Sequence, residues 1–406
     1  MNQKSWLSGQ KPNNSLTLDS VKEKPAFEIL KQFFWQAIQK NATDMHFDPK
    51  PSLVDIRIRV DGHLQSFSQG TTEQFEVWKR IIKLQSHLNI AENRLPQEGG
   101  FSLEQDDNRC DMRISFMPTI FGEKCAVRFL PTGESFQNCL DLGMTRDQLI
   151  LVEQTISSRE GSVIISGPTG SGKSTTLHTL LGLFPKKTLH IVSIEDPVEI
   201  RDKEINQIQV QEEIGLTYQQ LLKKMMRLDP DVFLLGEVRD KETARIACEA
   251  ALTGHFFLTT IHTKSTFDIL LRLLEMGIEP YLIATSLSVL ISERLVRKVC
   301  THCSEKIALN DPSLNKQGIH SHLVGKGCAF CHYTGYQGRQ GVFEVVSLSE
   351  ETKKMISAFS LTPNLDLLQQ SFQKDCLVPL QENFLTLIRK GVTNWEEALI
   401  QLENFE

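Results

Sequence analysis

Eight consecutive residues define the first chemistry to consider. Gly167, Pro168, Thr169, Gly170, Ser171, Gly172, Lys173 and Ser174 fill every position of the pattern G-x-x-x-x-G-K-S. Glycines let backbone N–H groups curl around phosphate oxygens, the lysine bridges β- and γ-phosphates, and the serine hydroxyl ligates Mg²⁺. An apolar run precedes the loop, and a helical run that takes in Thr175 follows it, so the strand–loop–helix context is present. A Gly-rich turn that binds nothing has no need of all eight positions. The expected ligand is ATP with Mg²⁺.

Hydrolysis further needs a group that positions water. "DPDVFLLGEVRD", residues 229–240, reads as an apolar strand ending in Gly236-Glu237. Open parallel sheets bind their ligands at the carboxyl ends of strands, so Glu237 is the candidate to polarise the attacking water. Its alternative reading is a solvated charge at a helix start. "IVSIEDPVEI" offers Glu195, Asp196 and Glu199 near the same edge. Glu195 reads equally as a group holding the metal's water shell or the nucleophile, and as a helix N-terminal charge. "LTGHFFLTTIHTKST" adds His255 and His262. A histidine at a strand end can donate to a γ-phosphate; a lone histidine can also be a satisfied structural residue.

A second chemistry lies downstream. Cys300-x-x-Cys303 and Cys328-x-x-Cys331 are two knuckles of the kind that converge on one tetrahedral ion. Four thiolates with no open position suit structural Zn²⁺ rather than catalytic zinc. A redox role for the pairs is the alternative. Cys110, Cys125, Cys139, Cys248 and Cys376 fall on apolar or strand positions and read as core. His302 and His332 read as bystanders.

The elements that must position these groups follow from periodicity. Residues 1–22 are polar and read as a disordered leader. Residues 23–132 read as an α+β domain, beginning with a helix on which Phe27, Leu30, Phe34 and Ile38 share a face. Val54, Ile56, Ile58 and Val60 then alternate with polar residues as a half-buried strand, and Asp61-Gly62 supplies a hairpin turn. A second helix is expected over Val77 to Leu88, with further strands to Phe129. Residues 133–143 read as a linker. From 144 to 406, short apolar strands (Ser162–Ser166, Leu189–Ile194, Val232–Leu235, His255–Thr260) alternate with helical stretches. This is the pattern of a parallel sheet covered on both faces, hence an α/β fold, with a cysteine-rich insert at 300–345 and a helical tail.

Composition narrows the function classes. The 406 residues are too many for one ordinary core and carry a formal charge of −6, which argues against a chain that coats nucleic acid. No run of about 18 apolar residues suits a membrane span, and the N-terminus lacks the apolar core of a secretory signal, so a cytoplasmic location is expected.

Beyond these separate signals, a succession of motifs resembles the secretion-type assembly ATPases, the motors of type II secretion, type IV pilus assembly and competence. "ATDMHFDP" (42–49), "LPQEGG" (95–100), "RISFMPTIFGEK" (113–124), the phosphate loop, "IEDPVE", "DPDVFLLGEVRD", "LTGHFFLTTIHT", "ERLVRKVC" and "GCAFCHYTGYQGRQGVFEVV" occur in that family's order. The resemblance implies a homohexamer whose N-terminal domain and RecA-like domain close on ATP. It works on a platform protein of the inner membrane, with which the chain associates peripherally. It implies that Glu237 is the catalytic carboxylate, Glu195 an essential acidic partner and His262 a phosphate contact. Arg113 and Arg128 resemble the family's arginine fingers; the alternative makes them surface partners of Asp111 and Glu123. Retraction motors usually lack the four cysteines. A retraction motor and a nucleic-acid translocase are the alternative functions, the second opposed by the acidic balance and the lack of a basic stripe with interleaved aromatics. Two departures stand out: Lys223 occupies a position where the family usually has arginine, and Glu293 one where it has glutamine. Neither is expected to touch the phosphate site.

Overall fold

A computed structural model describes residues 26–105, 108–130, 138–359 and 364–403, in two units divided after Leu130. The leader expected over residues 1–22 lies outside the described residues, as do residues 133–137 of the expected linker.

The first unit runs α1 (Ala26–Gln39), β1 (Ala42–Pro49), β2 (Val54–Val60), β3 (His63–Gly70), α2 (Thr72–Gln85), β4 (Gln97–Gln105), β5 (Asn108–Thr119) and β6 (Gly122–Leu130). Its strands form one sheet in the order β3-β2-β1-β6-β5-β4, every neighbouring pair antiparallel. Val54, Ile56, Ile58 and Val60 are buried and the residues between them are not, as the alternation requires. Asp61 and Gly62 both have positive φ (48° and 85°), the geometry that joins two twisted strands through a two-residue turn. One core takes alternate sheet residues together with Leu30 and Phe34 of α1 and Phe75, Trp78 and Ile82 of α2.

Two boundaries differ from the periodic reading. On α1 the buried stripe is Ile29, Leu30, Phe33, Phe34 and Ala37, so Phe27 and Ile38 lie at its margin. α2 begins five residues earlier than apolar periodicity placed it, because Thr71 and Gln74 form a capping box that satisfies the first-turn N–H groups.

The second unit opens with α3 (Cys139–Leu142), one helical turn whose Cys139 and Leu142 enter the core, so the end of the expected linker is built into this unit. There follow α4 (Arg146–Ser158), β7 (Gly161–Ser166), α5 (Lys173–Leu181), β8 (Ile191–Glu195), β9 (Asn206–Gln209), α6 (Tyr218–Met225), β10 (Val232–Leu235), α7 (Lys241–Leu252) and β11 (Phe256–Ile261). Next come α8 (Thr266–Glu275), α9 (Pro280–Ser286), β12 (Val289–Val299), β13 (Ser304–Ala308), α10 (Pro312–Lys316), β14 (Ser321–Gly325) and β15 (Tyr336–Ser347). Four helices, α11 (Glu350–Ala358), α12 (Leu365–Asp375), α13 (Leu380–Arg389) and α14 (Trp395–Glu403), form the tail.

Seven strands make the main sheet in the order β15-β12-β7-β11-β10-β8-β9, parallel throughout except for β15. Val163 and Ile165 of β7 enter one core and Ile164 the other, and β10 and β11 divide their residues in the same way. Burial on both faces explains why these strands read as unbroken apolar runs. The cysteine-rich segment is smaller than 300–345, because Tyr336–Ser347 is the edge strand of the main sheet, paired antiparallel with β12. Among the described residues no helix is long and apolar enough to cross a membrane.

Candidate functional site

β7 lies between β12 and β11, and the phosphate-loop residues leave its carboxyl end. Gly170 and Gly172 adopt positive φ (81° and 104°), which a side chain would strain. The loop ends at Gly172, the N-cap of α5, where no side chain caps the helix. The first-turn N–H groups are thus left to the loop's concavity, which suits an anion. Lys173 is buried, and its Nζ donates to the carbonyls of Gly167 (2.8 Å) and Pro168 (2.9 Å). Burial lowers its pKa to about 8 against the opposing pull of Glu293 and Glu237. The next residue, Ser174, is exposed, and Thr175 is half-buried beside it.

The neighbouring strands bring the acidic groups to the same edge. β10 ends at Leu235 and β11 at Ile261, and the two run parallel in register. Glu237 follows the first and His262 the second, and Glu237 Oε2 lies 3.0 Å from His262 Nε2. Arg239 pairs with Glu237 and lies 3.4 Å from Asp196. Glu237, His262 and the phosphate loop therefore share one sheet edge. His255 does not join them: it precedes β11 at the opposite edge, where its Nδ1 lies 2.9 Å from Thr253 Oγ1.

Glu195 is brought to a different set of partners. It closes β8, is buried, and accepts from Ser193 Oγ (2.6 Å) and Gln207 Nε2 (3.0 Å); its second oxygen lies 3.1 Å from His178 Nε2 on α5. The network fastens the helix that carries Lys173 to the strand beside β10. His178, Ser193 and Gln207 were not singled out from sequence. The period-two spacing of Ser193 and Glu195 was the one signal that they share a face.

Glu293 corrects the sequence reading. β12 runs parallel to β7 with Ser292 opposite Ser166, so the next step places Glu293 beside Gly167. A Cβ added at Gly172 would stand 2.3 Å from Glu293 Oε1, and one at Gly167 would stand 2.5 Å from the Glu293 carbonyl oxygen. This carboxyl does touch the phosphate loop. Sequence reasoning missed it because the contact is made across strands 126 positions apart in the chain (293 less 167). Lys223, the other departure, pairs with Glu242.

In the first unit, Arg113 of β5 stands directly opposite Arg128 of β6, Arg128 opposite Asp44 of β1, and Asp44 opposite Arg59 of β2. Arg128 Nε donates to Asp44 (2.9 Å), Arg59 lies 3.8 Å from the same carboxylate, and Arg113 pairs with Glu98 (2.7 Å). These are not the partners that the alternative required. Asp111 accepts from Arg109 (3.0 Å), and Glu123 is buried against Lys83 (2.8 Å) and Lys79 (3.4 Å). Two like charges face each other across the sheet with one buried carboxylate between them and Arg59, an arrangement that leaves positive charge in surplus on that row. Arg59 was not singled out from sequence.

The four cysteines meet where β12 ends and β15 begins. Their sulfurs all lie within 4.8 Å of one another, with Cys300–Cys328 at 3.9 Å and Cys303–Cys331 and Cys328–Cys331 at 3.8 Å. Disulfides are excluded by those separations. A tetrahedral zinc with Zn–S bonds of about 2.3 Å would set its sulfurs about 3.8 Å apart, so the donor set fits. Backbone N–H groups of Cys328 (3.1 Å) and Gly335 (3.3 Å) donate to the Cys331 sulfur, as suits a thiolate ligand. His302 stacks on Phe330 at 4.1 Å. Of the other cysteines, Cys110, Cys125, Cys139 and Cys248 are buried, and Cys376 is half-buried.

Known proteins resemble the chain at several levels. The family described as type II/IV secretion system protein matches residues 19–400. Type II secretion system protein E of Klebsiella pneumoniae is 35% identical over 403 residues, which cover 97% of this chain and 79% of that protein. The type IV pilus assembly ATPase PilB of Thermus thermophilus is 35% identical over 384 residues, covering 93% of this chain and 43% of that protein. Among solved structures, the ATPase DotB of Legionella pneumophila has a TM-score of 0.69 at 16% identity, covering 93% of this chain and 95% of its own. The pilus retraction motor PilT with bound ADP has a TM-score of 0.61 at 21% identity, covering 92% and 96%. At such identities the two structures speak to the fold alone.

Proposed function

The chain belongs to the type II/IV secretion system protein family, and we propose on that premise that it is an ATPase driving assembly of a type IV pilus or a type II secretion pseudopilus. The observation that carries this reading is the meeting of the phosphate loop with Glu237 and His262 at one edge of the sheet. A carboxylate held by a histidine and an arginine, beside a loop built for phosphates, is equipped to orient and deprotonate water.

The roles follow from the chemistry. Residues Gly167 to Thr175 cradle the phosphates, with Lys173 leaving its loop carbonyls for the β- and γ-phosphates. Mg²⁺ held by the Ser174 hydroxyl would neutralise charge on those oxygens. Glu237 polarises the attacking water and His262 contacts the γ-phosphate. Glu195 acts through His178, keeping α5 in place. Arg113 and Arg128 supply positive charge for the phosphoryl group in flight. Zn²⁺ on Cys300, Cys303, Cys328 and Cys331 would close the cysteine-rich segment as a structural module. The working assembly in this reading is a homohexamer on the cytoplasmic side of the inner membrane, engaged with a platform protein there.

The test is made in the cell. Chromosomal Glu237→Gln should abolish piliation or secretion of the exported substrate while the protein remains at its normal level. Pili and secretion at parental levels would overturn the reading.

A further inference from the structure

Beneath the phosphate loop sits a group with no part in the roles above. Glu293 is buried, and its Oε2 has no hydrogen-bond partner among the described residues. The hydroxyl of Thr176, one turn into α5, lies beside the carboxyl and favours its ionised form against the larger effect of burial, without closing a hydrogen bond to Oε2. A buried carboxylate oxygen left without a hydrogen-bond donor bears the full cost of leaving water. A proton on the carboxyl removes that buried charge and supplies an O–H that the Thr176 oxygen can accept. Oε1, for its part, is pressed against Gly172, the residue from which α5 departs.

We propose that Glu293 is a proton-carrying positioning residue: it supports the phosphate loop as the neutral acid, and nucleotide binding draws a proton from solvent onto it. The charges around it explain the direction. Lys173 on α5 and Arg294 on β12 face the carboxyl, and Arg294 is itself acted on by Glu344 of β15 and Asp268 of α8. Glu237 and Glu199 act on Lys173. A nucleotide claims the positive charge of Lys173 and adds negative charge above the loop, and both changes disfavour a carboxylate below it. Burial already pushes the Glu293 pKa up to about 8, so ionised and neutral forms are both populated near that pH in the free protein. Binding then shifts the balance to the acid.

This inference rests on the reading that the loop binds ATP, and the experiment separates the two. Calorimetric titration of the full chain with Mg²⁺ and a non-hydrolysed ATP analogue, at about pH 8 in two buffers of different ionisation enthalpy, counts protons taken up. Lys173 contributes its share in every protein. The wild type should exceed Glu293→Gln by about half a proton per nucleotide, and its affinity should fall by up to about tenfold more per pH unit above pH 8. Equal uptake and parallel affinity profiles would overturn the inference while leaving ATP binding intact. Should the variant not fold, infrared difference spectra of the wild type decide the matter. Nucleotide must increase carboxylic-acid C=O absorption at pH 8, a band that lysine cannot give, and its absence would overturn the proposal. No binding at any pH would remove the ATPase reading and this inference together.

Discussion

Single residues carry the sharpest consequences. Lys173 and Glu237 sit at the same end of the sheet, and the roles proposed for them, binding and chemistry, predict that their substitutions separate. Lys173→Ala removes the point charge for the phosphates and should lose ATP affinity. Glu237→Gln keeps the shape and should still bind ATP, with turnover lower by on the order of 10²- to 10⁴-fold. Equilibrium nucleotide binding and steady-state phosphate release measure both, and a Glu237→Gln protein of parental turnover would remove that residue from the chemistry. Glu293 makes a prediction about stability. Its pKa rises from an ordinary 4.5 to about 8 on burial, so between those values the folded chain keeps a proton that the unfolded chain has released. The contribution is fully present below about pH 4.5 and is lost as pH rises through about 8. Melting temperature should therefore fall more steeply between about pH 5 and pH 8 in the wild type than in Glu293→Gln. Parallel slopes would show that the group is not neutral in the fold.

Among the elements, β12 does two things at once. Its first half lies beside the strand that feeds the phosphate loop, and its far end delivers Cys300 to the cysteine cluster. Purified, reduced protein should carry about one zinc per chain by elemental analysis. Cys303→Ser or Cys328→Ser should lose the ion and the protection of residues 300–335 against proteolysis, because binding energy at such a site is folding energy. Nucleotide affinity should change far less, since Glu293 and the loop are anchored by the sheet rather than by the ion. Protein free of zinc after careful preparation would leave the four thiols as a reduced cluster and end the metal assignment. The short elements at the unit boundaries were the least legible. α2 starts at a capping box rather than at its first apolar residue, and α3 is held by Cys139 in the core, not by any periodic signal in its four residues.

At the scale of the whole molecule, each unit has its own apolar core. A chain beginning at Pro131, so as to keep Cys139 and Leu142, should fold and bind ATP. It should also turn over slowly, because phosphoryl transfer commonly depends on arginines brought from elsewhere. In the full chain, Arg113→Ala and Arg128→Ala should each lower turnover by on the order of a thousandfold with little change in affinity. Arg59→Ala tests whether the row across β2, β1, β6 and β5 works as a set. A shortened chain as active as the full one would assign the first unit to another task.

The amino-acid sequence alone determined whatever depends on neighbours along the chain. The phosphate loop, the turn at Asp61-Gly62, the alternation of β2 and the two cysteine knuckles are local patterns, since backbone freedom and side-chain period act over a few residues. The apolar runs also announced a doubly covered parallel sheet, because strands buried on both faces leave no polar positions. Only the tertiary structure decided what meets across distant strands. It turned Glu195 toward His178, set His255 and His262 at opposite ends of one strand, lined Arg59 up with Arg128, and placed Glu293 under Gly172. The reason is physical: strand order and register are set by the summed burial of the whole core, and no single motif encodes them.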